Sequence, residues 1–303
     1  MKRYLLLPIL ALLFACSCEK PAKGGNDDTA ETKADTLNLA TFNIRYATPN
    51  DTGVKSWVSR KAACVASVRD NDFDIVGFQE VLSIQQSDLK SALPEYEFNF
   101  IGRDDGVNGE AVGIGYLKDR LSVLDGGRFW LSPTPERPSN AQDWGGPTRK
   151  RVAVWFKFED KKTDKQFYFL STHLEVSEDY LDIRTKSAEL IIAKEKEINT
   201  EGLPFFVVGD MNPIAPTELS MRKLREVFND TFQQADAEEL REGPIGTYNG
   251  FNPDVNMDSP SKRGDYIFGK GNYILRKFKV IDTKYDGQYP SDHIPVTITV
   301  TLE

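Results

Sequence analysis

A four-layer αββα sandwich, with two mainly antiparallel sheets flanked by helices, is the α/β (α+β) fold this sequence predicts, and three observations carry it. From Leu37 onward, short apolar runs alternate with helical patterns, and no internal repeat interrupts them. From about residue 96 to 173 the chain is a succession of extended segments separated by Gly, Pro and Asp. A length of 303 residues, 40% of them apolar, supplies one sizeable core, and sandwiches of this size are routinely single units.

Taken in order, residues 37–42 (LNLATF) alternate as a strand does, and Asn43, Ile44 and Arg45 open a polar loop. A helix follows, with Val58, Ala62, Val65 and Ala66 at helical spacing and Arg60, Lys61 and Arg69 elsewhere. Residues 74–78 (DIVGF) read as a buried strand ending at Gln79-Glu80, so the opening is β-α-β, with a second helix expected over 83–92. The β-rich centre holds YEFNF, AVGIGYL, RLSVLDGGRFWL, RVAVWFKF and QFYFLSTHLE. A long helix over about 179–200 carries Leu181, Ala188, Ile191, Ile192 and Ile198 on one stripe, and LPFFVVGD (203–210) then reads as a buried strand. Further strands are predicted over 264–268, 273–282 and 294–302. Helices must cover the outer faces of two such sheets.

Ahead of this domain, Lys2 and Arg3 precede an apolar run over 5–15, too short to span a bilayer and characteristic of an export signal. Its end, Leu13-Phe14-Ala15-Cys16, resembles a bacterial lipobox. The expectation is a signal peptide over 1–15, a lipid-anchored flexible tether over 16–36 rich in Lys, Asp, Thr, Gly and Ala, and residence in the bacterial cell envelope. Removing residues 1–15 takes away Lys2 and Arg3 and no acid, moving the formal charge from −8 to −10. That balance disfavours long-range attraction to nucleic acid without excluding it. With Cys16 acylated, Cys18 has only Cys64 as a partner, and Cys64 falls in an expected buried helix, so no disulfide framework is predicted.

The chain has two histidines, His173 and His293, each at a strand boundary beside hydroxyl and acidic residues. Val208-Gly209-Asp210-Met211-Asn212-Pro213 leaves a buried strand with a carboxylate and a carboxamide two residues apart. Such a pair can take a proton from water and orient it, or can form an Asx turn before a helix beyond Pro213. Glu80 closes another strand. With Asn43, and Asp292 as a third oxygen, it offers hard ligands for Mg²⁺, with Mn²⁺ as the alternative. No His or Cys pair has the ligand spacing of zinc.

In order, Asn43, Gln79-Glu80, Thr172-His173-Leu174, Gly209-Asp210-Met211-Asn212, Asp265 in Gly264-Asp265-Tyr266-Ile267-Phe268, and Ser291-Asp292-His293 resemble the endonuclease/exonuclease/phosphatase (deoxyribonuclease I-like) superfamily over about residues 37–302. Gly102-Arg103-Asp104-Asp105-Gly106, Phe129-Trp130-Leu131-Ser132 and Asp286-Gly287-Gln288-Tyr289-Pro290 are similar to a bacterial lipoprotein branch of it. The resemblance implies a catalytic domain over 37–303 in which Glu80, Asn43 and Asp292 hold the divalent cation. It implies that Asp210 and Asn212 handle the attacking water, and that Asp265 orients His293 against the scissile phosphate. It makes His173 a second phosphate-facing histidine with Glu110 as its carboxylate partner, and Arg151 a phosphate-facing arginine. Met211 stands where the family usually has Phe. Gly264 replaces an aliphatic residue, from which a looser Asp265 backbone is expected, and no aromatic follows Glu110.

The function expected is therefore an exported, monomeric, membrane-tethered Mg²⁺-dependent phosphohydrolase that cleaves a phosphodiester or phosphomonoester by in-line attack of water. Two alternatives remain open. One is a nuclease acting on DNA or RNA. The other is a non-catalytic lipoprotein that binds a glycan or phosphorylated ligand on a platform of Trp57, Trp130 and Trp144. Specificity is expected in the loops over 46–57, 103–110, 132–148 and 244–262.

Overall fold

The computed structural model describes residue 1, residues 35–237 and residues 239–303. The expected signal peptide and tether lie outside them, apart from residues 1, 35 and 36. Among the described residues no helix is long and apolar enough to cross a membrane.

In chain order the strands are β1 (Leu37–Asn43), β2 (Ile75–Val81), β3 (Tyr96–Gly102), β4 (Ala111–Leu117), β5 (Leu121–Trp130), β6 (Val152–Asp160), β7 (Lys165–His173), β8 (Phe205–Asp210), β9 (Asn229–Asp230), β10 (Arg241–Glu242), β11 (Asp265–Lys270), β12 (Tyr273–Val280) and β13 (Val296–Leu302). The helices are α1 (Trp57–Arg69), α2 (Ser83–Ala92), α3 (Leu181–Ile198), α4 (Leu219–Arg225) and α5 (Thr231–Ala237). Seven strands form one sheet in the order β10-β12-β13-β1-β2-β4-β3, and six form the other in the order β5-β6-β7-β8-β11-β9. Most neighbours are antiparallel, but β1 and β2 are parallel, as are β7 and β8 and the short β10 with β12.

The period-two alternation of β8 shows why four layers form. Phe206 and Val208 face the core between the sheets, while Phe205 and Val207 face the helices, packed with Ala188 and Ile191 of α3 and Met221 and Leu224 of α4. Each such fully buried side chain contributes roughly 1.5–3 kcal/mol of transfer free energy. On the other outer face, Phe42, Val76 and Phe78 pack with Trp57, Cys64 and Val68 of α1 and Leu89 of α2. Cys64 is buried and unbridged.

In both long helices part of the expected stripe is displaced, although Val65, Ala188 and Ile191 are buried as expected and Ile192 and Ile198 pack against the core. Val58 is 78% exposed, and the buried row of α1 is Trp57, Arg60, Cys64, Val65, Ser67 and Val68. In α3 Leu181 is exposed while Ile183, Arg184, Ser187, Ala188, Ile191 and Glu195 are buried. The physical reason is the same in each: an arginine enters the interior because carbonyls and carboxylates receive it. Arg60 donates to the carbonyls of Lys55, Ile44, Arg45 and Pro290, and Arg184 donates to Glu218 at 2.7 and 2.9 Å.

Candidate active site

The parallel pairs β1–β2 and β7–β8 place four strand ends at one rim. Asn43 and Glu80 arrive from the first sheet, and His173 and Asp210 from the second, where His173 is paired in register with Asp210 and Asp210 with Asp265. At Gly209 (φ +150°) a Cβ would lie 2.0 Å from the Thr172 carbonyl oxygen, so only glycine allows β7 and β8 this approach. Just below, Gly77 keeps the sheets close, since a Cβ there would meet Val208 Cγ2 at 2.4 Å. Gln79 crosses that gap, donating to Thr41 Oγ1 at 3.1 Å and Ser171 Oγ at 3.3 Å. Beyond it, a register shift between Phe78 and Val81 forms a bulge in which Glu80 takes φ +63°, a left-handed conformation that re-aims its side chain at the rim. Arg60 fastens the carbonyls of Ile44, Arg45 and Pro290, which flank Asn43 and Asp292-His293.

Asp210 is the hub. Its Oδ2 accepts from Asn43 Nδ2 at 3.0 Å, and Nε2 of His173 and of His293 lie 3.5 and 3.7 Å from the same oxygen. Its Oδ1 accepts the Asn212 N–H at 3.1 Å, so the Asx turn forms and Asn212 still lines the cleft, its amide donating to the Leu174 carbonyl at 3.2 Å. His293 Nδ1 bonds to Asp265 Oδ2 at 2.7 Å, and Thr247 Oγ1 donates to that oxygen at 2.6 Å. Thr247 also accepts the N–H groups of Gly264 and Asp265 at 3.0 Å, and the Gly264 carbonyl holds the Met211 N–H. Asp265 is thus firmly held, contrary to the looser backbone expected from Gly264, because a hydroxyl from another loop pins it.

Two expected pairings take a different form. Glu110 lines the cleft with His173, but its Oε2 accepts from Arg103 Nη1 at 2.8 Å, and the carboxylate beside His173 is Asp210. The nearby guanidinium captures the glutamate first. Asn43 turns its Nδ2 toward Glu80 Oε1 (3.1 Å) and Asp210, and its Oδ1 accepts the Arg45 N–H at 3.0 Å. It therefore bridges the two carboxylates as a donor, with its oxygen turned to the Arg45 N–H. Asp292 is buried, with Arg45 3.8 Å away and Ser291 Oγ 3.2 Å away.

These groups open into a cleft of about 530 Å³. Of the loops expected to set specificity, Tyr46, Arg103, Glu110, Tyr248, Ser261 and Lys262 line it, and 132–148 supplies nothing. Among the described residues no tryptophan lines it: Trp57 and Trp130 are buried at 5% and 2% exposure, and the half-buried Trp144 stands outside it, so the three form no platform at this cleft. Arg149 and Arg151 do line it, and Glu175 lies behind them. Sequence reasoning named neither Thr247, Arg149 nor Glu175. The last two had a readable signal, since Arg149 and Arg151, like His173 and Glu175, stand two apart on extended chain.

Burial pushes Asp210 up to about 6; Asp265 and Glu80 add to this, while His293 and Asn43 oppose it. Burial and the neighbouring Glu80 likewise raise Asp292. Burial disfavours the His293 imidazolium, but Asp265, Asp210 and Asp292 outweigh it and hold its pKa well above 6.5. His173 lies well below 6.5, through burial and then through Arg151, His293, Arg103 and Arg149. The donor set fits a hard divalent cation. Glu80, Asp210 and His173 offer ligand atoms within 4.8 Å of one another, Asp292 stands beside Glu80, and a cation would relieve the repulsion among these crowded carboxylates.

The family model described as Endonuclease/Exonuclease/phosphatase family matches residues 40–293. The crystal structure of an endonuclease/exonuclease/phosphatase from Bacteroides vulgatus is 32% identical, with a TM-score of 0.80, covering 88% of this chain and 99% of that one. A mannosyl-6-phosphatase of Bacteroides thetaiotaomicron is 31% identical at a TM-score of 0.77, over 88% and 99%. D. rerio TDP2, solved with a single-strand DNA product, is 18% identical at a TM-score of 0.68 over 88% and 98%, a likeness of fold.

Proposed function

The chain belongs to the Endonuclease/Exonuclease/phosphatase family, divalent-metal-dependent hydrolases of phosphoester bonds, and from that premise we propose that it is an exported Mg²⁺-dependent phosphomonoesterase acting on a small phosphorylated ligand such as a sugar phosphate. One observation carries the reading: two histidines of opposite charge preference converge on one oxygen of Asp210, beside the Glu80 and Asp292 carboxylates. The size of the cleft suits a small ligand, the likeness to a mannosyl-6-phosphatase supports a phosphorylated sugar, and the acidic chain weighs against a polyanion. The apolar run over 5–15 and the lipobox-like Leu13-Phe14-Ala15-Cys16 are the sequence grounds for proposing export and lipid tethering at the cell envelope, where the protein would act as a monomer.

Glu80 and Asp292 would hold the cation, with Mn²⁺ as a substitute for Mg²⁺. When bound, it neutralises charge on the phosphoryl group. Asp210, ionised above about pH 6, accepts a proton from the attacking water, which Asn212 helps to orient. The His293 imidazolium, fixed by Asp265 at Nδ1, directs Nε2–H to a non-bridging oxygen as charge builds there. Neutral His173 offers a hydrogen bond from the other side, and Arg151 a full charge. Glu110 sets Arg103 at the wall.

The test is a substrate panel. Sugar 6-phosphates, inositol phosphates, sphingomyelin and plasmid DNA are each incubated with the purified protein in Mg²⁺ and again in EDTA. Efficient, EDTA-sensitive turnover of a phosphomonoester is expected. Faster cleavage of plasmid would favour the nuclease reading, and binding without turnover on any arm would favour a non-catalytic lipoprotein.

A further inference from the structure

Just outside the catalytic cluster, two arginines share one carboxylate. Arg149 grips Glu175 with two groups, Nη2 to Oε1 and Nε to Oε2 at 3.3 Å, while Arg151 reaches the same oxygens more loosely at 3.4 and 3.5 Å. The Glu175 side chain is 2% exposed, and Oε1 also takes the Val176 N–H at 3.0 Å. Both arginines line the cleft and Glu175 does not, so the acid stands behind the two guanidinium groups and aims them. Its own backbone is anchored in turn. Arg184, fully buried, donates to the carbonyls of Glu175 at 2.9 Å and Ser177 at 2.8 Å while Glu218 grips its other side.

Two positive charges against one negative leave this group with a net charge of +1. Arg151, only 7% exposed, has N–H groups beyond those on Glu175 and no other protein acceptor for them among the described residues. A buried guanidinium with donors to spare, beside a partly exposed partner, suits an anion that presents several oxygens. A terminal phosphoryl group is a dianion with three non-bridging oxygens. A phosphodiester has one charge fewer, one such oxygen fewer, and a second ester arm.

We propose that Glu175 is a positioning residue that aims Arg149 and Arg151 as a two-arginine clamp on a terminal phosphoryl group, and that this clamp selects monoesters over diesters. The inference rests on the phosphomonoesterase reading for its substrate and adds a recognition device to it. Arg149 and Arg151 touch the phosphoryl group, and Glu175 acts through them.

The experiment compares full-length protein with Glu175→Gln, Arg149→Ala and the double variant, on p-nitrophenyl phosphate and bis-p-nitrophenyl phosphate, with orthophosphate binding measured by calorimetry. Glu175→Gln is expected to lower the monoester-to-diester ratio of kcat/KM by about tenfold or more, mainly through KM, and to weaken orthophosphate binding by a similar factor. The double variant should lose less than the product of the two single losses, because part of the effect of Glu175 runs through Arg149 and only the part through Arg151 remains to be lost. Equal losses on both esters, independent multiplicative effects, or unchanged orthophosphate binding would overturn the proposal. Should Glu175→Gln fail to fold, Arg149→Ala, at the cleft rim, must lower the same ratio or the clamp is refuted. If the wild type turns over neither ester, the phosphomonoesterase reading fails, and orthophosphate binding still decides the clamp.

Discussion

On one side of Asp210, His293 stands among carboxylates; on the other, His173 looks toward Arg103, Arg149 and Arg151. Burial works against the charged ring at both. The acids beside His293 overcome it, whereas the arginines beside His173 reinforce it. One residue type, 3.5 and 3.7 Å from the same oxygen, is thereby pushed in opposite directions by its neighbours. A phosphoester placed between them would meet a cationic donor on one flank and a neutral one backed by guanidinium charge on the other.

The strongest way to break this asymmetry is to remove the charged flank. His293→Ala is expected to cost ~10²–10³ in kcat with the thermal midpoint little changed, and Asp210→Asn, which removes the base, should cost at least as much. Steady-state rates of the purified variants check both. A middling effect is expected from Asp265→Asn, about 10–100-fold, because it disturbs His293 without deleting it. Its pH profile carries the sign. Wild-type activity should rise as Asp210 ionises near pH 6 and fall as His293 deprotonates well above 6.5. Without the Asp265 carboxylate to raise the imidazolium, the alkaline limb should move to lower pH. The smallest effect is expected from His173→Asn, within about tenfold, since it exchanges one neutral hydrogen-bonding group for another.

Stability sharpens the same contrast, measured by chemical denaturation from pH 5 to 8. His293, with its folded pKa raised, contributes stability below about pH 6.5 that is lost as pH rises through the folded value. His173, with its folded pKa lowered, pulls the other way. The unfolded chain takes up its proton first as pH falls below about 6.5, so His173→Gln, which does not titrate, should flatten the acid side of the curve.

Much of the scaffold was legible because apolar periodicity survives in the sequence. The β8 run LPFFVVGD announces a strand buried on both faces, and its end announces Asp210. Buried charge was not legible. Arg60 reads as off the apolar stripe and Arg184 carries no reading, because their acceptors, Pro290 and Glu218, lie far away in the chain. The site followed the same division. Residues on strand ends, such as Glu80, His173 and Asp210, could be placed from local pattern. The partner of Glu110, the donor edge of Asn43 and the hydroxyl of Thr247 depend on loops brought together only by the fold.

Because the chain contains two histidines, nitrogen NMR of histidine-labelled, untagged, metal-free protein reads both rings directly. At about pH 7.5 one imidazolium, with Nδ1–H bonded to Asp265, and one neutral ring are expected. Two neutral rings, or two rings titrating together near the ordinary histidine value, would contradict it.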